Sequence, residues 1–509
     1  MPNILFAISN RQYYRRGKNC LKFATMSNKK LLLLLTLSLL TLFRTGYAQD
    51  KWDLRKCVDY AIANNISVKQ ADVQARIARL TMSQSQLNQI PTLTFGSQVG
   101  INSGNSLNQT SYTINTTTFL FNQYSLQSTV SVYNGLYLRN LIEANRYAWQ
   151  AALANTDKTK NDITLNVANA YLQVLLAKEQ TETSQLQLRL SQNQLGITQK
   201  QVKAGTLPEL NAAELESQVA QDSATYITSQ GNVVQAVLTL KAYMDLDASV
   251  PFEVYAPPVE DIPIEQIADL QPEAVYSLAL ANQPLQKMDA LNIESDRKLV
   301  RSNKGAMYPQ ISLFGNVNST YTTSPVPTEE IYNVPFTHAV GYVYGSNTPV
   351  LNDSVQSARL INGKSNPYFT QLNSFLAKQV GVSVNIPILN NGIFRTNYAK
   401  SKLNLRNQEL QRDQDNLTLK NNIYVAYTSA ITALQKFEAN KITVAATQKS
   451  FDFAQKRYNV GMLNTIDLLT NQNNFFNARI NLLSSQFDYV FKMKVLEYYK
   501  GLGIKLTKD

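Results

Sequence analysis

Four segments of the chain alternate apolar and polar residues with a period of two, which predicts β-strands. Their polar faces carry serine, threonine, asparagine and glutamine, where the wet face of a soluble sheet usually carries lysine and glutamate. One apolar and one uncharged polar face is typical of strands that form a transmembrane β-barrel around a water-filled lumen. A soluble sheet with one core face is the alternative interpretation. The apolar sets are Leu93, Phe95, Val99 and Ile101; Tyr124, Leu126, Val130 and Val132; Ile311, Leu313 and Val317; and Val380, Val382, Val384, Ile386 and Ile388.

Two very long helices follow the strand pairs. Phe394–Val460 contains neither glycine nor proline over 67 residues, which at 1.5 Å per residue makes a helix of roughly 100 Å. The corresponding stretch, Leu136–Leu195, continues past Gly196 towards Ala204. Both helices are expected to end at a glycine, the natural C-cap residue, and to turn back as hairpins. Spacing of three, four or seven residues predicts coiled-coil packing for Ile423, Tyr427, Ala430, Leu434, Phe437, Val444 and Phe451.

An internal repeat relates the two halves of the chain. Ala63-Asn64-Asn65 is echoed by Ala281-Asn282-Gln283 at an offset of 218, and Asn134-Gly135 by Asn391-Gly392 at an offset of 257. We interpret this as a duplication in which each half reads helix, strand, loop, strand, long helix, turn, helix. The first repeat spans residues 49–249, a proline- and acid-rich connector spans 250–273, and the second repeat spans 274–509. The offsets differ by 39 residues, which predicts a long loop at 319–378 on the strand side.

Residues 1–48 are predicted to be an N-terminal extension and a signal peptide, with Met26 as the true start. Lys29-Lys30 precedes the apolar run Leu31–Phe43, and Gly46-Tyr47-Ala48 supplies small residues for cleavage. The same region holds eight of the basic residues and no acid, so the formal charge of +12 falls to +4 for the rest of the chain. A nucleic-acid partner is therefore not expected. No later apolar run is long enough for a membrane helix, so the mature protein is either soluble and exported or inserted through strands.

Few residues of the chain suit a catalytic or metal site. Two cysteines and one histidine, His338, exclude a disulfide scaffold and make histidine-based metal chemistry improbable. Cys57 is expected to be a small packed helix residue. The sequence contains no phosphate-binding glycine loop and no nucleophile signature. We therefore expect no enzyme activity, no cofactor and no metal.

Four strands are too few to close a membrane barrel, since the smallest known have about eight. Because open sheet edges are not tolerated in lipid, several subunits must pool their strands. Three chains would supply twelve. We therefore infer a homotrimer in contact with membrane lipid.

The order of elements over residues 50–505 resembles that of the TolC family of outer-membrane efflux channels. The run Arg457–Leu469 is similar to the family's turn, in which arginine is followed after three residues by glycine, and six residues later by an aspartate, here Asp467. The resemblance implies an α+β membrane protein: a trimer whose twelve-stranded β-barrel continues as a long α-helical barrel through the periplasm. It also implies a passive exit duct for efflux or type I secretion. Its partners would be outer-membrane lipid, a periplasmic adaptor protein and an inner-membrane pump of the RND or ABC type.

The resemblance also suggests a pore gate at the periplasmic tip, formed by Asp467 and Arg457. A ring of three Asp467 carboxylates should attract cations. Alternatively, Asp467 is an acid in the first turn of a helix, stabilised by the helix dipole. Arg457 either bridges to a neighbouring helix tip or is a solvated charge near a helix C-terminus.

The hairpin tips are the candidate adaptor contact, with simple turn chemistry as the alternative. The residues are Gly205, Thr206, Leu207, Gly461, Met462 and Leu463.

Two other functions remain open on the sequence alone. The first is an exported coiled-coil scaffold or adhesin without a pore. It would tolerate charged strand faces and would not need two strand pairs. The second is an exported hydrolase with paired carboxylates, for which the sequence contains no specific signal.

Overall fold

The computed structural model describes most of the chain after the predicted signal peptide. The chain divides into two units, residues 1–52 and 53–509. The signal peptide and the Met26 start lie outside the described residues, as do 256–261 and 263 of the connector. None of the described helices is long and apolar enough to cross a membrane. The described ranges are 51–107, 114–255, 262, 264–324, 327–335, 339–351, 354–362 and 365–501.

The strands form one large antiparallel sheet and two small ones. The large sheet has the order β1-β2-β3-β8, while β4 pairs with β7 and β5 with β6. The strands are β1 (Thr92–Leu107), β2 (Ile114–Tyr133), β3 (Gln310–Thr322), β4 (Pro327–Pro335), β5 (Ala339–Tyr342), β6 (Pro349–Leu351), β7 (Ser354–Asn362) and β8 (Ala377–Asn385).

The register of the large sheet places the four apolar rows on one face. Phe95 lies opposite Leu126, which in turn lies opposite Val317. Leu313 lies opposite Val382 on the same face. The four predicted strands are confirmed, but the last is shorter than predicted. It ends before Ile386 because Pro387 lacks the N–H needed for a ladder hydrogen bond.

The helices form two long antiparallel hairpins, in which α3 packs on α4 and α8 packs on α9. Helices α3 and α8 are each 67 residues long, as the absence of breakers predicts. Helix α2 packs on α3, and α6 packs on both α3 and α8. The helices are α1 (Leu54–Asn64), α2 (Ile66–Leu87), α3 (Tyr137–Lys203), α4 (Glu209–Met244), α5 (Pro272–Asn282), α6 (Pro284–Gly305), α7 (Tyr368–Ser374), α8 (Ile393–Asn459) and α9 (Thr465–Tyr499).

The main hydrophobic core of the second half lies where α5, α8 and α9 meet. Ile423 and Ala430 are fully buried there, against Met493 and Leu496 of α9. The seven apolar positions predicted to pack along α8 are all buried or half-buried. The predicted packing role of Cys57 is also confirmed: the side chain is buried, and desolvation raises the pKa of its thiol to about 12.

Two corresponding turns form hydrogen bonds to the ends of α4 and α9, the shorter helices of the two hairpins. The Asn65 amide, between α1 and α2, donates to the carbonyl of Tyr243 at the end of α4, at 2.9 Å. The Gln283 amide, between α5 and α6, donates to the carbonyl of Tyr498 near the end of α9, at 2.7 Å. The echoed tripeptides of the sequence therefore make the same kind of contact in each half.

The described part of the connector lies against the first hairpin. The Tyr171 hydroxyl of α3 donates to the carbonyl of Tyr255 at 2.5 Å, and the Lys178 ammonium donates to that of Val254 at 2.9 Å. On α4, the Lys241 ammonium donates to the carbonyls of Ala248 and Val250. These bonds fix the strand-like start of the connector across the side of the helices.

The segment predicted as a long loop at 319–378 has secondary structure of its own. Its first residues complete β3 and its last residues begin β8. Between them lie the β4–β7 and β5–β6 pairs and the short helix α7. His338 lies outside the described residues.

Candidate functional site

The polar face of the large sheet is lined by uncharged side chains from all four strands. Thr94 lies opposite Gln127, which lies opposite Asn316, and Asn316 lies opposite Gln379. The neighbouring residues Phe95, Leu126 and Val317 form the apolar counterpart of this row on the other face, where Lys378 follows on β8. Such a face can contact water across the full width of the sheet without burying a charge.

Two aromatic rings lie on the polar face, each over a glycine of the neighbouring strand. A Cβ atom at Gly100 would come within 2.8 Å of the Phe121 ring, and one at Gly381 within 2.7 Å of the Phe314 ring. The glycines therefore let both rings lie flat against the sheet. Sequence reasoning missed Phe121 and Phe314, although an isolated glycine inside a strand pattern is a signal of close approach.

Both hairpin tips end their long helix with the same hydrogen-bonded turn. After α3, Gly205 has φ +74°, and the Thr206 N–H donates to the carbonyl of Gln201 at 2.9 Å. After α8, Gly461 has φ +75°, and the Met462 N–H donates to the carbonyl of Arg457 at 2.8 Å. These are Schellman turns, in which glycine takes the left-handed conformation without strain. The predicted tip residues thus carry the turn chemistry expected of them.

The tip residues differ in what they offer to a partner. Met462 is exposed over 69% of its surface. Gly205, Thr206 and Gly461 are exposed as well. Leu463, in contrast, packs inward against the cluster that contains Phe451, Ala454, Tyr458 and Leu468. Leu207 is half-buried. The second tip therefore combines a leucine that fixes the turn with a methionine that projects from it.

Asp467 and Arg457 lie at the same tip, but each contacts its own hairpin. The Asp467 N–H donates to the Asn464 side chain, the N-cap of α9, at 2.7 Å. The Arg457 guanidinium lies 3.4 Å from the carbonyl oxygen of Met462. Both side chains are exposed, and within the described ranges the two form no ion pair with each other. Their predicted role as a gate stays a prediction, since it concerns contacts between neighbouring subunits.

A buried polar network, here called the polar clasp, joins α9 to the first hairpin above the tips. The Ser191 hydroxyl of α3 donates to the Asp222 carboxylate of α4 at 2.5 Å, and the Gln472 amide of α9 donates to the Ser191 oxygen at 2.7 Å. Asn473 of α9 accepts from the Gln187 and Gln218 amides, which also donate to Asp222. The clasp residues are Gln187, Ser191, Gln218, Asp222, Gln472 and Asn473.

The carboxylate of the polar clasp accepts hydrogen bonds from hydroxyl and amide donors. Asp222 is only 3% exposed. Its burial raises the pKa of the carboxyl above the ordinary value, while the hydrogen bonds from Ser191, Gln218 and Gln187 act in the opposite direction. Sequence reasoning missed this network because its members are ordinary polar helix residues separated by 31 and 281 positions.

The described residues contain no group of three or more histidine, cysteine, aspartate or glutamate side chains that could hold a metal ion. The candidates for a functional site described above are the polar sheet face, the two tips and the polar clasp.

Comparison with known proteins gives matches over most of the chain. A family model described as outer membrane efflux protein matches residues 57–245 and 275–490. The toxin and drug export protein A of Aggregatibacter actinomycetemcomitans is 18% identical over 437 residues, which cover 86% of this chain and 83% of that protein.

Solved structures match the same extent of the chain. A structure of CusC superposes with a TM-score of 0.70 at 16% identity. The superposition covers 90% of this chain and 93% of the CusC chain. The CmeC outer membrane channel of Campylobacter jejuni superposes with a TM-score of 0.67 at 16% identity. This superposition covers 90% of this chain and 88% of the CmeC chain.

Proposed function

Because the chain belongs to the outer membrane efflux protein family, we propose that it is a passive exit duct for efflux or type I secretion. The protein is an outer-membrane protein, and its long helices extend into the periplasm. The observation that carries the proposal is the register of the large sheet. It aligns four apolar rows on one face for lipid and four uncharged polar rows on the other for water.

The duct is a homotrimer in this proposal. Among the described residues, no strand pairs with the outer edge of β1 or of β8. Unpaired edges are not tolerated in lipid, so each edge pairs with a neighbouring copy. Two copies would supply eight strands, and a barrel of about eight has an interior just wide enough for side chains. Three copies supply twelve, which leaves room for a lumen. The helical hairpins of the three copies then form an α-helical barrel below it.

The duct depends on partners for energy and for its cargo. We assign the exposed tip residues Gly205, Thr206, Gly461 and Met462 to the contact with a periplasmic adaptor protein, which links the duct to an inner-membrane pump of the RND or ABC type. Leu463 supports its turn from inside, and the half-buried Leu207 lies at the corresponding place of the first tip. The toxin and drug export described for one relative agrees with either efflux or secretion.

Conductance and native mass of the same detergent-purified sample test the proposal. Discrete conductance steps in a planar bilayer from a particle of three chains would support the duct. A soluble monomer would overturn it and favour the coiled-coil scaffold without a pore. A folded trimer that never conducts, even after the tips are cut away by limited proteolysis, would also argue against a lumen.

Asp467→Asn should reduce cation selectivity while the trimer stays intact. Three carboxylates at the narrowest point attract cations, and their removal weakens that attraction. The measurement is the reversal potential under a potassium chloride gradient across a planar bilayer. The matched control is Glu209→Gln, which removes the same charge from an exposed acid at the tip of the other hairpin. Equal changes in both variants would remove Asp467 from the gate.

A photo-reactive amino acid at Met462 should cross-link to a periplasmic adaptor in intact cells, because this side chain projects from the tip. The same amino acid at Ile442, which is exposed on α8 17 residues before the helix ends at Asn459, serves as the control. Mass spectrometry of the adduct identifies the partner. Adducts with an adaptor from Ile442 alone would move the contact from the tip to the side of the hairpin.

A further inference from the structure

The short helix α7 is docked on the apolar face of the large sheet, at the end away from the long helices. The Ser319 hydroxyl of β3 donates to the carbonyl of Leu372 at 2.6 Å. Gln371 is fully buried and bonds both backbone groups of Thr322, the last residue of β3, at 2.9 and 3.0 Å. Ser319 lies opposite Tyr124 in the register, on the face that holds Leu126. The helix is therefore fixed to the side of the sheet that the proposed duct turns towards lipid.

An aromatic cluster surrounds this docking point. The hydroxyls of Tyr368 and Tyr124 lie 2.7 Å apart, and the Asn122 amide donates to both. The Tyr321 ring lies 4.7 Å from that of Tyr368, between centroids. Phe95 of β1 stacks on Tyr124 at 6.3 Å. Tyrosines with an apolar ring and a wet hydroxyl are typical of the belts at the surfaces of a membrane.

The outer surface of α7 and of the link to β8 carries large exposed apolar side chains beside the small polar residues Thr370, Asn373 and Ser374. Phe369 is exposed over 81% of its surface, and Phe375 and Leu376 are also exposed. The exposed Lys378 follows on the apolar face, opposite Val317. Beyond it the same face continues with Val380 and Val382. A lysine at this place can extend its charged end to the headgroups while its stem stays among apolar groups.

The position of the cluster along the sheet agrees with the thickness of a membrane. At the helix end of the sheet, Tyr133 lies opposite Ile311 and is partly exposed. Because β2 has a bulge between Ser131 and Tyr133, the interval from Tyr133 to Tyr124 corresponds to the eight residue steps from Ile311 to Ser319 on β3. At about 3.3 Å per residue this is roughly 26 Å along the strand. With a strand tilt of about 40° the height is roughly 20 Å, comparable to the apolar band of about 25 Å in outer-membrane barrels. The Tyr124 cluster then lies at the outer boundary of that band.

We propose that Tyr368–Leu376 is an in-plane anchor that binds the lipid of the outer leaflet at the headgroup boundary and fixes the depth of the barrel. The inference rests on the proposed function, since it requires the apolar face to lie in lipid. The occupant is lipid because the exposed aromatic surface is continuous with that face and ends in a lysine.

Depth-dependent fluorescence quenching tests the anchor. The chain has two tryptophans, Trp52 and Trp149, both outside the large sheet, which are replaced by phenylalanine. Phe369→Trp is then introduced, and the protein is reconstituted in phosphatidylcholine vesicles brominated either near the headgroup or near the chain end. We expect a strong loss of fluorescence from shallow bromines and a weaker loss from deep ones. Phe375→Trp provides a second probe if the first variant does not assemble.

Two further tryptophan variants separate the anchor from the proposed function. Leu126→Trp, on the apolar face two residues from Tyr124 in the direction of Tyr133, should be quenched by deep bromines more strongly than Phe369→Trp. Tyr344→Trp, at the exposed turn between β5 and β6, should be quenched by aqueous iodide alone. The anchor would be overturned, and the duct left standing, if lipid quenched the Leu126→Trp variant while Phe369→Trp responded to iodide alone or to neither quencher. Absence of lipid quenching in Leu126→Trp would overturn the proposed function itself.

Discussion

Leu126→Arg should abolish assembly in the outer membrane, whereas Gln127→Arg should assemble and shift the duct towards anion selectivity. The two residues are neighbours on β2, a strand that is paired on both sides. Leu126 lies between Phe95 and Val317 on the apolar face, and Gln127 between Thr94 and Asn316 on the polar face. The same substitution one residue apart therefore tests the assignment of the two faces, with strand propensity and added charge held constant.

The expected size of the effect depends on whether the guanidinium group lies in lipid or in water. An arginine on the lipid face of a barrel costs up to about 2–4 kcal/mol, a cost that falls from the middle of the bilayer towards its surfaces, and a trimer carries it three times. On the polar face the charge meets water, and three guanidinium groups in the lumen repel cations. The measurements are the yield of heat-modifiable trimer in the outer-membrane fraction and the reversal potential of the purified duct.

In a reversed result, Leu126→Arg would assemble and Gln127→Arg would fail. The face that carries Leu126 would then be in water, which contradicts the proposed lumen. Failure of both variants would point to a soluble sheet packed on both faces. Gln127→Leu, which is uncharged and similar in size, then serves to separate charge from packing.

The parts of the fold that are predictable from the sequence are those with a regular period. The strands show a period of two because successive side chains point to opposite faces of a sheet, and the register confirms the phase of the four apolar sets up to the bulge at Val132 on β2 and the end of β8 at Asn385. The long helices are predictable because nothing in 394–459 interrupts them, and Gly461 supplies the left-handed residue at which the helix ends. Both signals can be read from the order of residue types along the chain, without knowledge of any contact in the folded protein.

The segment between β3 and β8 could not be predicted in the same way. Its strands are short, and its prolines and glycines, such as Pro335 and Gly341, are typical of a loop. Helix α7 has only seven residues, so its apolar positions do not establish a helical period. Its place is set by Gln371 and Tyr368, which bind residues of β2 and β3 far away in the sequence.

For the candidate site, the sequence provides residue types and the structure provides contacts. The tips are predictable because glycine marks a turn, but the inward packing of Leu463 and the outward position of Met462 depend on α8 and α9 together. The polar clasp depends on three helices that meet only in the folded chain, so no spacing in the sequence indicates it. The gate role of Asp467 and Arg457 stays a prediction, because it requires contacts between copies of the chain.

Gly305→Ala should destabilise the protein strongly, whereas Gly196→Ala should stabilise it slightly. Both glycines are helical, Gly305 at the end of α6 and Gly196 within α3. A Cβ atom at Gly305 would lie 2.5 Å from the carbonyl oxygen of Gly135 and 3.0 Å from the nitrogen of Tyr137, while one at Gly196 would meet no atom within 4 Å. Because the obstacle at Gly305 is backbone, no side-chain rotation can relieve the contact.

This contact lies where the long helix begins, and it explains the size of the expected effect. Gly135 itself has φ +63°, and a Cβ there would approach the Gly305 carbonyl oxygen to 2.3 Å, so neither glycine can accept a side chain. The Ser302 hydroxyl donates to the carbonyl of Tyr137 at 3.0 Å in the same junction, and this bond breaks if the helices move apart. Overpacking of this kind costs about 1–3 kcal/mol per chain.

Thermal unfolding in detergent, followed by the loss of helical circular dichroism, measures both variants against the wild type. Gly196→Ala should raise the midpoint, since alanine in a helix is favoured over glycine by about 0.5–1 kcal/mol. Gly305→Ala should lower it and reduce the fraction of trimer by native mass, because the junction aligns the sheet with α3 and α6. Equal midpoints for the two variants would mean that α6 can move away from the start of α3 without loss of stability. The close approach at Gly135 would then not hold the sheet on the helices.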